Sequence, residues 1–191
     1  SQLHAIIFTD RRGQPHSNMT NWQDERELLP HPGGRGAFFD EMRRRVTPAE
    51  RLEMGSEWRP GLPVGLFFWL AEQGQLPAGD LIPASLPDFV IANLCETEPT
   101  VELSHAMAYS VLNLKTLSWH TEVISKLGLE RVNWPRIRQH GEVVGVLRYN
   151  GQTVPCYTPV GDYQAAMLGA LLNEDELSLN ISTGSQASRL A

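Results

Sequence analysis

Glu142-Val-Val-Gly-Val-Leu-Arg-Tyr149, Asn150-Gly151 and Gln152-Thr-Val-Pro-Cys-Tyr157 form the stretch where the chain changes its period. Two arms flank an Asn-Gly pair whose residues both tolerate positive φ, so the stretch predicts a β-hairpin. Pro155 has no N–H, which confines the second arm to a sheet edge or a break in pairing. Downstream come Gly161-Asp162, an Ala-rich helix from Tyr163 to Leu172 and an acidic turn at Asn173-Glu-Asp-Glu176. A strand from Leu177 to Thr183 then ends in Gly184-Ser185, with nothing to follow it.

Upstream the signals are mainly helical. Thr47-Pro-Ala-Glu50 places Thr at an N-cap, Pro at the first helical position and Glu where it reaches back to the cap amide. Ser85-Leu-Pro-Asp88 is a looser start ahead of Phe89-Val-Ile-Ala-Asn-Leu. Pro63 to Gln73 suits a buried helix closed by Gly74, and Phe38 to Val46 a helix with Arg43, Arg44 and Arg45 as a solvated face. Trp119, Val123, Ile124 and Leu127 recur at helical spacing, with Gly128 as the stop. Asp24 to Leu29 is a short helical stretch, and His31-Pro-Gly-Gly-Arg-Gly36 a loop. Leu3 to Thr9 reads as a strand running into an Asp10-Arg-Arg-Gly13 turn. Helices and strands are mixed, so the class is α/β or α+β.

Composition narrows the function classes. The 191 residues suit one domain plus an extension. A net charge of −6 argues against a nucleic-acid or anionic-membrane surface. The densest apolar run, Pro63-Val-Gly-Leu-Phe-Phe-Trp-Leu-Ala71, is far shorter than the roughly 20 residues of a membrane span. Ser1-Gln-Leu-His-Ala-Ile-Ile-Phe-Thr-Asp10 has neither the basic nor the apolar region of a secretory signal and reads as the middle of a longer protein. Cys95 and Cys156 lack metal-ligand spacing; both read as buried small hydrophobes in a reducing cytoplasm.

Four places combine polar groups with turns. Gln2 and His4, two apart on a strand, share a face and suit a polyhydroxylated ligand; a His satisfied within the fold is the plainer alternative. Trp22-Gln-Asp-Glu-Arg26 sets an indole beside carboxylate and guanidinium, as a sugar requires; alone it also reads as a capped helix start. Asp162 either caps the following helix or stands at a glycine-permitted corner where it takes a proton from an attacking hydroxyl. Asn180-Ile-Ser-Thr-Gly-Ser185 offers hydroxyls and amides to phosphate oxygens. The Walker A and Gly-x-Gly-x-x-Gly patterns are absent, and no His pair has metal-ligand spacing, so no metal ligand is assigned.

In their order these segments resemble the FGGY family of carbohydrate kinases. Ser1-Gln-Leu-His-Ala5 with Thr9-Asp-Arg-Arg-Gly-Gln-Pro15 is similar to the family's Ser-Gly-Gln-Met-His-Gly strand and Asp-x-x-Gly-x-Pro turn. Trp22-Gln-Asp-Glu-Arg26 follows its Trp-x-Asp-x-Arg element. Gly161-Asp162-Tyr-Gln-Ala-Ala-Met-Leu-Gly169 follows Gly-Asp-x-x-Ala-x-x-x-Gly, and Asn180 to Ser185 the phosphate loop that opens the second domain.

The resemblance implies an α/β fold of the ribonuclease H-like, actin-like ATPase type, incomplete and lacking its first strands. It implies a partial sugar-binding N-terminal domain over 1–174 and the first strand and phosphate loop of the next domain over 175–191. ATP and Mg²⁺ are the implied cofactors. The implied acceptor is a sugar, a ketose of the xylulose or sedoheptulose class. Asp162 is the implied base, Gln2, His4 and Asp24 the sugar contacts, Trp22 and Arg26 their frame, and Thr183, Gly184 and Ser185 the phosphate loop. The expected setting is cytoplasmic, without nucleic-acid or membrane partners and compatible with a homodimer. The stretch alone is expected to be inactive. The alternative is a non-enzymatic sugar-binding or interaction module derived from such a kinase.

Overall fold

The computed structural model describes residues 4–34, 36–55, 58–77, 79–181 and 185–189. The chain forms two compact units, Ser1–Pro159 and Val160–Ala191. In the first, strand β1 (Ile6–Thr9) is buried along its whole length and pairs antiparallel with β2 (Ile82–Ser85), Ile6 opposite Ser85. It ends at Asp10, whose Oδ1 accepts the Arg12 and Gln14 amides at 2.8 and 2.9 Å. The Gln14 bond leads in holding the Asp10 carboxyl below its usual range. Gly13 completes the turn with φ of +71°, and a Cβ there would fall 2.4 Å from the Ala92 carbonyl carbon. The turn therefore rests directly on α4 (Leu86–Cys95), where the Asn93 side chain donates to the Gly13 carbonyl at 3.0 Å.

Helix α1 (Phe38–Arg45) buries Phe38, Phe39 and Met42 on one face. Its arginines are less solvated than their run suggests: Arg43 lies over Phe39 and Arg45 over Phe68. Helix α2 (Pro48–Glu53) has the full capping box: the Glu50 amide donates to Thr47 Oγ1 at 3.2 Å and the Thr47 amide to Glu50 Oε2 at 2.8 Å. Lys126 also donates to Glu50, and this bond above all draws the carboxyl down to about 2. Helix α3 (Pro63–Glu72) is apolar nearly all round because it runs through the core. Ser85 accepts the Asp88 amide to cap α4.

Further on, β3 (Thr100–Glu102) leads into α5 (Leu103–Ala108), followed by β4 (Leu112–Asn113), β5 (Ser118–Trp119), α6 (Thr121–Lys126) and β6 (Arg136–Arg138). Strand β3 pairs parallel with β6, and β4 antiparallel with β5. Trp119 belongs to β5, opposite Leu112, so α6 starts two residues later than its apolar spacing predicts. That position lets Trp119 join Tyr109, Phe67 and Trp134 in the core, with Trp119 and Trp134 centroids 5.1 Å apart. The hairpin is β7 (Val143–Tyr149) and β8 (Gln152–Tyr157), turning at Asn150-Gly151 with φ of +48° and +74°. Pro155 sits opposite Val146 in the ladder.

The second unit contains α7 (Asp162–Gly169) and an antiparallel pair, β9 (Leu177–Asn180) with β10 (Gln186–Arg189). The expected strand from Leu177 to Thr183 is observed as far as Asn180, where it pairs with β10; Ser182 and Thr183 lie outside the described residues. Among the described residues no helix is long and apolar enough to cross a membrane.

Candidate functional site

The turn before Trp22 is built by Asn21. Its Oδ1 accepts the Gln23 amide at 2.9 Å and its carbonyl accepts the Asp24 amide at 2.9 Å. This Asx-type turn lifts Trp22 to the surface, 58% exposed. Asp24 and Arg26 meet as a bidentate fork, Nε to Oδ1 at 2.7 Å and Nη2 to Oδ2 at 2.5 Å. The Arg26 guanidinium lies 4.9 Å from the centroid of the Trp69 ring. The segment after Asp24 is a single 3₁₀ turn, Arg26–Leu28, rather than an α-helix. Both carboxylate oxygens of Asp24 are engaged, so any ligand contact it makes shares the oxygen with Arg26.

Glu27 is the residue that sequence reasoning missed. It is fully buried, and its Oε1 accepts the Gly61 amide at 2.6 Å, while Oε2 has no hydrogen-bond partner among the described residues. Burial pushes its carboxyl above the usual range. Gly61 has φ of +82°, and a Cβ there would fall 2.2 Å from the Trp22 carbonyl oxygen. Glu27 and Gly61 together clamp the 61 loop against the backbone of Trp22. The only sequence signal for this was a Glu inside an otherwise polar Trp-to-Arg element, which composition alone assigns to the surface.

The remaining predicted residues are placed as follows. His4 lies in a turn before β1, half-buried, so the shared-face strand argument does not apply to it. Gln2, Thr183 and Gly184 lie outside the described residues. Ser185 is exposed and directly precedes β10. Asp162 is the first residue of α7, and Gly161 holds the N-cap position with φ of −53° and ψ of 136°. Asp162 is therefore not the cap, and Gly161 adopts a conformation open to any residue. The Asp162 Oδ1 accepts the Tyr163 amide at 2.9 Å, beside the positive end of the helix dipole.

A second polar cluster, Ser85, Asp88 and His105, has the residue types of a catalytic site. Ser85 Oγ donates to Asp88 Oδ2 at 2.5 Å, and His105 Nδ1 lies 3.4 Å from the same oxygen. All three are buried in the first unit, and burial leads in pushing the Asp88 carboxyl up. The cluster joins the cap of α4 to α5.

No family model matches the chain. A glycerol kinase of Methylobacterium radiotolerans is 26% identical, aligning with 88% of this chain and 34% of that protein. The crystal structure of Plasmodium falciparum glycerol kinase with ADP superposes with a TM-score of 0.78 at 18% identity, over 96% of this chain and 37% of that one. The ligand-bound xylulose kinase of Lactobacillus acidophilus superposes with a TM-score of 0.72 at 16% identity, over 98% and 38%. The chain thus spans about a third of the length of the relatives it matches. Across that third, the chain shares the α/β fold of these kinases, of the actin-like, ribonuclease H-like type, and is similar in sequence to glycerol kinases.

Proposed function

We propose that this chain is the acceptor-binding part of an ATP-dependent carbohydrate kinase that phosphorylates an alcohol group of a sugar, of the ketose class. The observation that carries the reading is Asp162, a carboxylate at the first position of α7 in a Gly-Asp-x-x-Ala-x-x-x-Gly segment. In this reading Asp162 accepts the proton of the acceptor hydroxyl as its oxygen attacks the γ-phosphorus and ADP leaves. An ordinary Asp is ionised at neutral pH, so the group acts by orientation as much as by basicity. Trp22 supplies an apolar face to a sugar ring, with the Asp24–Arg26 fork as a polar rim and Gln2 and His4 as further contacts. Thr183, Gly184 and Ser185 supply the nucleotide phosphate contacts. Mg²⁺ enters as part of the nucleotide substrate and offsets the phosphate charge; among the described residues no three His, Cys, Asp or Glu side chains gather to hold a metal. Dependence on ATP fits a cytoplasmic setting.

The test is Asp162→Asn in the protein that carries this chain. Turnover should fall at least about 100-fold, the lower range for loss of a general base, while sugar binding measured by tryptophan fluorescence is kept. Undiminished turnover would overturn the assignment. A panel of ketoses, aldoses and polyols tests the acceptor class, and the ketose reading fails if a polyol is the best substrate.

A further inference from the structure

Cys95 ends α4 and Cys156 lies in β8, far apart in the chain. The fold makes them neighbours. Helix α4 packs on β7 at Gly145, where a Cβ would fall 2.6 Å from Cys95 Cβ and 2.8 Å from its Sγ. Only a glycine leaves this space, and the Cys95 side chain fills it. Gly145 stands directly opposite Cys156 in the β7–β8 ladder. Opposite residues of an antiparallel pair project from one face, with Cβ atoms about 4.5–5.5 Å apart. Cys156 therefore borders the space that Cys95 occupies. Both are free and half-buried, rather than the buried small hydrophobes their isolation in sequence suggests. Burial, then the adjacent Cys156 thiol, pushes the Cys95 thiol up to about 11.

The geometry points to Cys95 and Cys156 as a dithiol modification site whose reagent is a low-molecular-weight disulfide of the glutathione class. Cys156 loses its proton and attacks one sulfur of the reagent, breaking its S–S bond and releasing one thiolate. Cys95 then loses its proton and attacks Cys156 Sγ in the mixed disulfide, releasing the second thiolate. The two protons end on the two released thiols, so the reagent is reduced by two electrons and the protein gains one S–S bond. Cys95 is the resolving thiol because its side chain is packed against Gly145 between α4 and β7, whereas the Cys156 thiol lies on the exposed side of the hairpin. The product ties β8 to the end of α4 and fixes a hairpin whose Val143, Val146, Val154 and Tyr157 side chains are otherwise exposed. This site stands apart from the proposed kinase activity.

The experiment treats the protein with oxidised glutathione at several pH values, followed by alkylation, digestion without reductant and mass spectrometry. Expected are a Cys95–Cys156 cross-linked peptide pair within one chain, a loss of about 2 Da, and a rate that climbs with pH above neutrality. Oxidation should raise Tm by about 5–15 °C, from the usual effect of closing a long loop. Cys95→Ser and Cys156→Ser should each show no cross-link and no such rise. Two glutathione adducts on one wild-type chain, a disulfide between two chains, or two thiols that stay alkylatable would each overturn the proposal.

Discussion

The first unit buries some of its leucines completely, and the second, among its described residues, buries none. In the first, Leu127 and Leu129 are 0% exposed, packed with Phe67, Tyr109 and the paired tryptophans. In the second, Leu168 is 63% and Leu171 83% exposed. The difference lies in the number of layers available. The described residues of the first unit stack helices and short strand pairs on a common core, whereas those of the second offer one two-turn helix and one two-stranded antiparallel pair. A pair of that kind is marginal by itself in water. The free energy of apolar burial therefore resides in the first unit, and leucine count alone does not reveal it.

The largest effect should come from Phe67→Ala. Phe67 is fully buried, with ring centroids 5.6 Å from Phe8, 6.3 Å from Tyr109 and 5.7 Å from Trp134. Truncation should cost about 3–5 kcal/mol in urea unfolding, from lost transfer energy plus the cavity. A cost near zero would break the contrast by showing that the first unit has no such centre.

Next is Glu27→Ala, which leaves the buried Gly61 amide without its acceptor. An unsatisfied buried donor costs about 1–3 kcal/mol, and the 61 loop should loosen beneath Trp22, seen as faster amide exchange at Gly61. The charge also has a signature in pH. Burial raises the Glu27 carboxyl above its unfolded value near 4.5. A raised carboxyl favours folding below the unfolded value and loses that contribution as pH rises through the folded one. Glu27→Gln should remove this decline, giving a flatter stability profile above pH 4.5. Glu50 runs the other way: drawn down to about 2 by Lys126, its contribution is present above 4.5 and lost as pH falls toward 2.

These cases show which features were legible in sequence. The Asn150-Gly151 hairpin and the Thr47 and Ser85 caps were readable because each depends on a few adjacent residues. The sequence set Asp24 and Arg26 beside Trp22, and the structure adds that the two close on each other as an ion pair. Glu27 was not, because its burial depends on the Gly61 loop and on Gly65 of α3, both distant in the chain. The thiol pair was hidden in the same way, since only the docking of α4 on β7 joins Cys95 to Cys156. Trp119 misled the helix boundary because its apolar character serves a strand pair and an aromatic cluster as well as it would a helix. For Asp162 the neighbouring glycine suggested a special backbone, whereas Gly161 has ordinary dihedrals.

Thr47→Ala should cost about 1 kcal/mol, a typical loss for a removed cap. It tests whether local capping in the first unit matters beside the core. The readout is the urea midpoint at constant m-value, and no change would assign α2's stability to packing alone.

The smallest effect should be at Leu171, and its sign is informative. It follows the C-cap of α7 with φ of +50°, a conformation that favours glycine, and its side chain is exposed. Leu171→Gly removes apolar surface already in water and relieves the left-handed backbone, while the unfolded chain gains freedom that opposes the benefit. The net change should be between zero and a gain of about 0.5 kcal/mol, the range of surface substitutions. A loss above 1 kcal/mol, measured by thermal unfolding of the same protein, would mean that Leu171 is covered in the folded state. In that case the second unit would bury its leucines as the first does.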